Sequence, residues 1–529
     1  MTDERSTKRG SNVRNSVMVR RGLGVLLALG LVAAAGCGGD DDAPPATDAP
    51  PATDAPAEPD EPTPTDPPLD DEQDDEQDDE PADEPADEPD EQPADEPEAD
   101  EPDDARPGVI EVPADHATIQ AAVDAAEPGD LILISPGTYH EAVNVTTDEL
   151  TIRGLDRQAV ILDGEFELDN GIRVLGANGV AVENMTAMNY TRNGFYWTGV
   201  EGYRGSYLTS YRTGDYGIYA FDSVKGQFEH AYAAGSADAG FYIGQCYPCD
   251  SVISDVISEH NGLGYSGTNA GGNLLIINST FRNNRAGVVP NTGSYQLCYP
   301  QRETTIVGNV VHSNNQPDTP AISVAMLAMG NGILPAGGVR NTIERNLVFD
   351  HDRTGIGLVP FLEEGPNDDI PPAGDWDRMC DEQRLDPVAD EVPESLLWDP
   401  HENRVVGNVV RDSREADLAV ASAGTDLSTL GNCFGDNEFA TTAPTALELL
   451  APCDTDGDPD GDWTAGDLEV IRWLAEQGTR PAAVDYREAN LPPIPDLPDM
   501  PDAATAPARP AVDVPFAVDL DAIEVPEEP

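Results

Sequence analysis

The sequence predicts an all-β solenoid, a right-handed parallel β-helix, on three observations. A glycine recurs as Gly171, Gly194, Gly217, Gly240, Gly264 and Gly287, at intervals of 23, 23, 23, 24 and 23 residues. Each is followed by a bulky apolar residue, Ile172, Phe195, Ile218, Phe241, Tyr265 and Val288, so that successive repeats bury this column only by stacking on one another. Between the glycines run short alternating segments broken by Asn, Asp, Ser and Gly, as in Leu274-Leu275-Ile276-Ile277-Asn278-Ser279, and none has a helical period. Three short strands and three turns fill about 23 residues, one coil of such a helix.

In chain order, the first segment is an export signal. A basic stretch (Lys8, Arg9, Arg14, Arg20, Arg21) precedes the apolar run 23–35, which is too short to span a bilayer securely. Residues 37–106 form a spacer of Ala-Pro-Pro-Ala-Thr-Asp and then Pro-Ala-Asp-Glu repeats. It holds about 30 acidic residues and almost no apolar ones, a composition that cannot offset its ordering entropy. The solenoid is expected over 107–445, opening with a short amphipathic helix at 118–126 that covers the exposed end of the stack. Strands follow at 131–134, 142–145 and 150–152, and the repeat continues less regularly after Gly287 at 304–313, 341–358, 403–420 and 428–439. Two insertions, at 291–301 and 361–400, interrupt it, and long loops on a rigid scaffold commonly wall a cleft. A C-terminal cap is expected over 446–490 and a proline-rich tail, extended along the surface or disordered, over 491–529.

The formal net charge of the 529-residue chain is −71, and beyond the spacer a single lysine, Lys225, remains. Nucleic acid is excluded as a partner, because phosphate binding needs a Lys/Arg footprint. Six cysteines, Cys246, Cys249, Cys298, Cys380, Cys433 and Cys453, follow the signal, an even number that favours disulfides in an exported chain. The expected pairs are Cys246 with Cys249, Cys298 with Cys380, and Cys433 with Cys453. A zinc site at Cys246/Cys249 lacks a second ligand pair.

The repeat glycine serves as a ruler for stacked columns. Two positions after it stand Tyr196, Tyr219 and Tyr242, expected on an outer face that suits sugar rings, or else forming a structural aromatic ladder. Two positions before it stand Arg192, Asp215 and Asp238, and five before it Asn189 and Arg212. Adjacent coils bring Asp215 and Asp238 close enough to share a proton or a cation. Arg212, Asp215 and Asp238 are the catalytic candidates; the alternative is a set of turn residues forming surface ion pairs. Glu229-His230 and Glu259-His260 fall at different offsets and should not stack.

Three resemblances add to this reading. Ala34-Ala35-Gly36-Cys37 resembles a bacterial lipobox, which implies cleavage after residue 36, lipid attachment at Cys37 and an extracytoplasmic, membrane-anchored protein. The segments 118–145 and 150–164 resemble the opening of the pectin lyase-like superfamily, and the later coils its carbohydrate-binding and sugar-hydrolase repeat class. That implies polysaccharide recognition, with lyase, hydrolase or epimerase chemistry among the family's activities. The Asn-Thr-Asp and Arg-Ile-Lys runs of polygalacturonases are absent, while Asp399-Pro400-His401-Glu402 resembles the Asp-Pro-His-Asp motif of mannuronan C5-epimerases. Finally, Asp456, Asp458, Asp460, Asp462 and Asp467 resemble one EF-hand loop of a dockerin, which implies calcium; an acidic turn capping a helix is the alternative. The expectation is a monomeric surface lipoprotein that binds, and in one form processes, polysaccharide. Its alternative is a non-catalytic envelope scaffold or accessory protein.

Overall fold

The computed structural model describes residues 108–366, 378–383, 392–455, 457–458, 461–476, 479–512 and 517–529. Its body is a three-faced parallel β-helix. The first face begins with Val109–Val112, Leu131–Ile134 and Thr151–Gly154, and the second with Gly137–Tyr139 and Val160–Asp163. Long strands such as Val180–Tyr190 and Glu201–Thr213 turn from the first face onto the second. The third face stacks Val143–Val145, Asn170–Leu175, Asn193–Thr198, Ile218–Phe221, Ala239–Gly244, Leu263–Thr268 and Ala286–Asn291, all parallel.

The repeat glycine has a steric cause. A methyl group at Gly171, Gly217, Gly264 or Gly287 would sit 2.5, 2.6, 2.7 or 2.5 Å from the carbonyl oxygen of the next glycine in the column. The corner is therefore too tight for any side chain, and the coil can close over a narrow interior. The next residue points inward, with register Ile172, Phe195, Ile218, Phe241, Tyr265 and Val288. After a helical excursion containing Ser323–Ala328, the column resumes at Gly332 and Gly355, with Ile333 and Ile356 continuing the inward row. Aromatic residues fill the middle coils, where Trp197, Tyr203 and Phe228 meet with ring centroids 5.4–6.1 Å apart.

Between the first and second faces the chain turns through one left-handed residue per coil, including Asn184, Tyr207, His230, Asp255 and Asn278. Asn, Asp and His are the non-glycine types that accept this conformation most readily. Inside the C-terminal coils, asparagine side chains stack as a ladder: Asn346 donates to Asn408, and Asn408 to Asn437, both at 2.9 Å. The ladder satisfies buried turn amides that would otherwise be costly. At the N-terminal end, Ile119–Ala125 forms the capping helix, its first turn held by the Thr118 hydroxyl accepting from Ala121 N at 3.1 Å.

Cys246–Cys249, Cys298–Cys380 and Cys433–Cys453 are disulfides, the pairing read from the sequence. Residues 479–512 and 517–529 contribute no strand. They lie along the first two faces as a strap of extended stretches joined by turns at 486–488 and 501–505, with Ala503, Ala511 and Ile523 buried. Among the described residues no helix is long and apolar enough to cross a membrane. Cys37 and the spacer lie outside the described residues.

Candidate functional site

The third face carries the densest group of functional side chains. Its outward register runs Arg173, Tyr196, Tyr219, Tyr242, Ser266 and Val289. Tyr216, directly before the repeat glycine, joins this column. Its ring stacks on Tyr219 at 4.5 Å and meets Tyr242 at 4.7 Å, while Tyr219 lies 4.9 Å from Tyr196 and 4.8 Å from Tyr242. Tyr196, Tyr216 and Tyr219 are half-buried and present ring surface to solvent.

Tyr242 corrects the expectation of three open rings. It is only 1 % exposed, because the 292–301 loop folds over it and its hydroxyl donates to Gln296 Oε1 at 2.9 Å. Beyond it lies a polar end wall. Thr268 donates to Asn291 Oδ1 at 2.8 Å, and Tyr295 donates to the same oxygen at 3.2 Å. The 361–400 insertion braces this loop from behind: Phe361–Glu364 pairs antiparallel with Ser395–Trp398. Glu363 accepts from the Ser294 hydroxyl at 2.7 Å and from Trp398 Nε1 at 2.8 Å.

Asp215 and Asp238 come together as the ruler requires. Backbone bonds from Asp215 N to Arg192 O and from Asp238 N to Asp215 O, both 2.9 Å, stack the three residues on consecutive coils. Their environments then separate the two carboxyls. Asp215 is 38 % exposed and ion-paired with Arg192 at 3.3 Å; partial burial draws its pKa upward and Arg192 counters it. Asp238 is 8 % exposed. Burial pushes its pKa up to about 7, against a hydrogen bond from Tyr216 and with a further push from the Asp215 charge. Burial also raises the hydroxyls of Tyr216, Tyr219 and Tyr242, so all three are neutral phenols at physiological pH.

Arg212 is a second correction. It occupies a left-handed corner, φ 59°, and its guanidinium donates at 3.1 Å to the carbonyls of Tyr486 and Arg487 in the strap. The corner turns it off the third face, so it does not join the carboxylates. Glu229 and Glu259 do fall on different faces. Glu259 is buried, paired with Arg282 at 2.7 Å and accepting from Tyr232 at 2.8 Å.

The remaining candidates lie elsewhere. Asp399 is committed to the hydroxyls of Ser422 and Thr425, at 2.7 and 2.5 Å. Asp458, Asp462 and Asp467 line a cleft of about 1060 Å³ near Trp463, away from the tyrosines. Asp462 accepts from the Thr464 hydroxyl and amide at 2.8 and 3.0 Å. Asp456 and Asp460 lie outside the described residues. Among the described residues no three His, Cys, Asp or Glu side chains are grouped to hold a metal ion. The sequence reading missed Tyr216, Tyr295 and Gln296; only Tyr216, at a fixed offset from Gly217, carried a usable signal.

Residues 170–359 match the family model described as "Right handed beta helix region". No curated protein matches the chain. Solved structures similar to it include the A-module of the mannuronan C-5 epimerase AlgE4 of Azotobacter vinelandii, at 16 % identity, 66 % of this chain, 95 % of that one and TM-score 0.39. An alginate lyase from Paenibacillus sp. str. FPU-7 is 13 % identical over 63 % of this chain and 98 % of that one, TM-score 0.33. The pectate lyase Pel9A is 12 % identical over 75 % of this chain and 90 % of that one, TM-score 0.38. At these scores the likenesses carry no argument about chemistry. Stacked coils and family match together make the chain a right-handed parallel β-helix.

Proposed function

We propose that the third face binds a polysaccharide over Tyr196 and Tyr219 and cleaves it by proton transfer, with Asp238 as general acid and Asp215 as the ionised partner. One observation carries this reading. Two aspartates on adjacent coils, joined by the backbone bond from Asp238 N to Asp215 O at 2.9 Å, sit in different environments: burial pushes Asp238 up to about 7, while Arg192 counters the effect of burial at Asp215. Such a division suits hydrolysis of a glycosidic bond: Asp238 protonates the leaving oxygen as the C–O bond breaks, and Asp215 assists the attacking water or the developing positive charge. β-Elimination fits less well, since it needs a basic proton abstractor. The cation beside the pair, Arg192, is bound to Asp215, and Arg212 faces the strap. Half-buried tyrosine rings supply sugar-stacking surface. The lipobox-like run ending at Cys37 and the acidic spacer support presentation outside the cytoplasm on a lipid anchor.

A polysaccharide panel tests it. The expected result is a rise in melting temperature with one glycan class and release of new reducing ends from it. Asp238→Asn should lower release by about 100-fold or more while the melting response stays; Tyr219→Ala should weaken the melting response. A panel with neither response would favour the non-catalytic scaffold.

A further inference from the structure

The strap is held in an unusual way. It adds no strand to the solenoid, and its backbone is held mainly through carbonyl oxygens. Arg153 donates to Ala506 O at 2.7 Å and Pro507 O at 3.0 Å, and Arg204 to Arg509 O at 2.5 Å. Arg157 donates to Pro498 O at 3.3 Å, and Tyr211 to Pro492 O at 2.8 Å. Arg212 adds its two bonds, to Tyr486 O and Arg487 O.

These donors are set by the solenoid rather than by the strap. Arg153 and Arg204 both anchor on Glu183, at 2.7 and 2.6 Å. Arg157 is fixed by the Thr209 hydroxyl at 2.8 Å and the Leu208 carbonyl at 2.6 Å. The surface is therefore a preorganised row of donors, one or two per coil. Its natural complement is a chain rich in carbonyls and poor in N–H groups, which is what proline supplies. Residues 491–511 contain seven prolines among 21 positions. Where the segment does offer an amide, the groove answers with an acceptor: Met500 N meets Asn184 Oδ1 at 2.8 Å, and Arg509 N meets Thr151 Oγ1 at 2.9 Å. Leu491, Ile494 and Leu497 pack against Tyr211 and Tyr232. Charge is matched as well: the Arg157 amide donates to Asp499 at 2.6 Å, beside the Arg157 guanidinium.

We propose that the first two faces, from Arg153 to Arg212, form a binding groove for a proline-rich peptide, and that residues 479–511, extended at 489–500 and 507–510 with a turn between them, are its ligand held in cis. Aromatic-lined grooves recognise polyproline segments because the segment is extended before it binds; here an arginine row plays that part, reading carbonyls instead of ring faces.

The experiment uses the full chain with specific protease sites inserted between Gln477 and Gly478 and after Val512, both cut after folding, so that the released segment does not carry the separate anchors of residues 517–529 on Arg345 and Arg411. The cleaved segment is expected to remain bound at micromolar concentration and to be displaced by excess fluorescent synthetic peptide of residues 479–511. Arg212→Ala removes two carbonyl contacts at a corner without disturbing Glu183, and should speed exchange on the order of tenfold with an unchanged circular dichroism spectrum. A peptide with alanine at Pro492, Pro495 and Pro498 should compete several-fold less well. Immediate loss of the cut segment on gel filtration would overturn the proposal. So would exchange only under denaturing conditions, which would make the segment a fixed part of the fold, or an exchange rate indifferent to Arg212→Ala.

Discussion

The third face and the two faces under the strap are built from the same stacked coils, yet they treat charge in opposite ways. On the third face Arg192 and Asp215 pair one coil apart with 65 % and 38 % of their side chains exposed. Beneath the strap Arg153, Glu183 and Arg204 pair on adjacent coils with 0–1 % exposed. Coil stacking supplies the pairing in both places, and the cover decides its worth. In water the pair is screened and contributes little. Under the strap the same geometry becomes a network that cannot lose a member without stranding a buried charge.

Substitutions can break that contrast in order of size. Glu183→Gln should cost about 3–5 kcal/mol in urea unfolding, because two buried guanidinium groups lose their counter-charge; a cost no larger than that of an exposed pair would show that the strap does not exclude water.

The second effect concerns pH. Asp238 titrates near 7 in the folded protein and near 4 in an unfolded chain. The unfolded state therefore releases this proton first, and stability falls as pH rises from about 4 to about 7, by up to about 4 kcal/mol for this group. Asp238→Asn should flatten the profile across that window, and an unchanged profile would remove Asp238 as the neutral-pH carboxyl. Tyr219→Ala, which deletes four ring contacts, should cost about 1–3 kcal/mol. Smallest of all, Arg192→Ala should move stability by less than about 1 kcal/mol and leave the strap bound.

Much of the fold was legible because its constraint is local and repeated. A corner with no room for a side chain writes glycine into the coils from Gly171 to Gly355, between Ala142 and Asp417 at its two ends, and the column it heads writes an apolar residue beside it. Asp215 and Asp238 were legible for the same reason, since both stand two positions before a repeat glycine. Arg212 was misplaced because an offset from the glycine gives height along the stack, and the left-handed residue at that corner changes the face. Tyr242 was misplaced because its cover comes from the 292–301 loop, which has no period to count. The strap's contacts join residues more than 110 positions apart, 274 for Arg212 with Tyr486. Carbonyl recognition leaves no mark on residue identity beyond proline content.

The glycine column also bears on how such a chain can grow. After the stacked strand Val310–His312 the chain leaves the stack, builds the Ser323–Ala328 helix and returns at Gly332 to the same corner, where Ile333 takes the place after Val288. A glycine arriving in register restores the corner after this detour, whose helix packs its own Ala325 and Ala328 against the third face. Whole coils, or excursions that bring their own packing, can therefore be spliced in at this edge while the neighbouring coils keep their contacts. The molecule is thus a modular frame whose outer walls can be rewritten without renegotiating its interior.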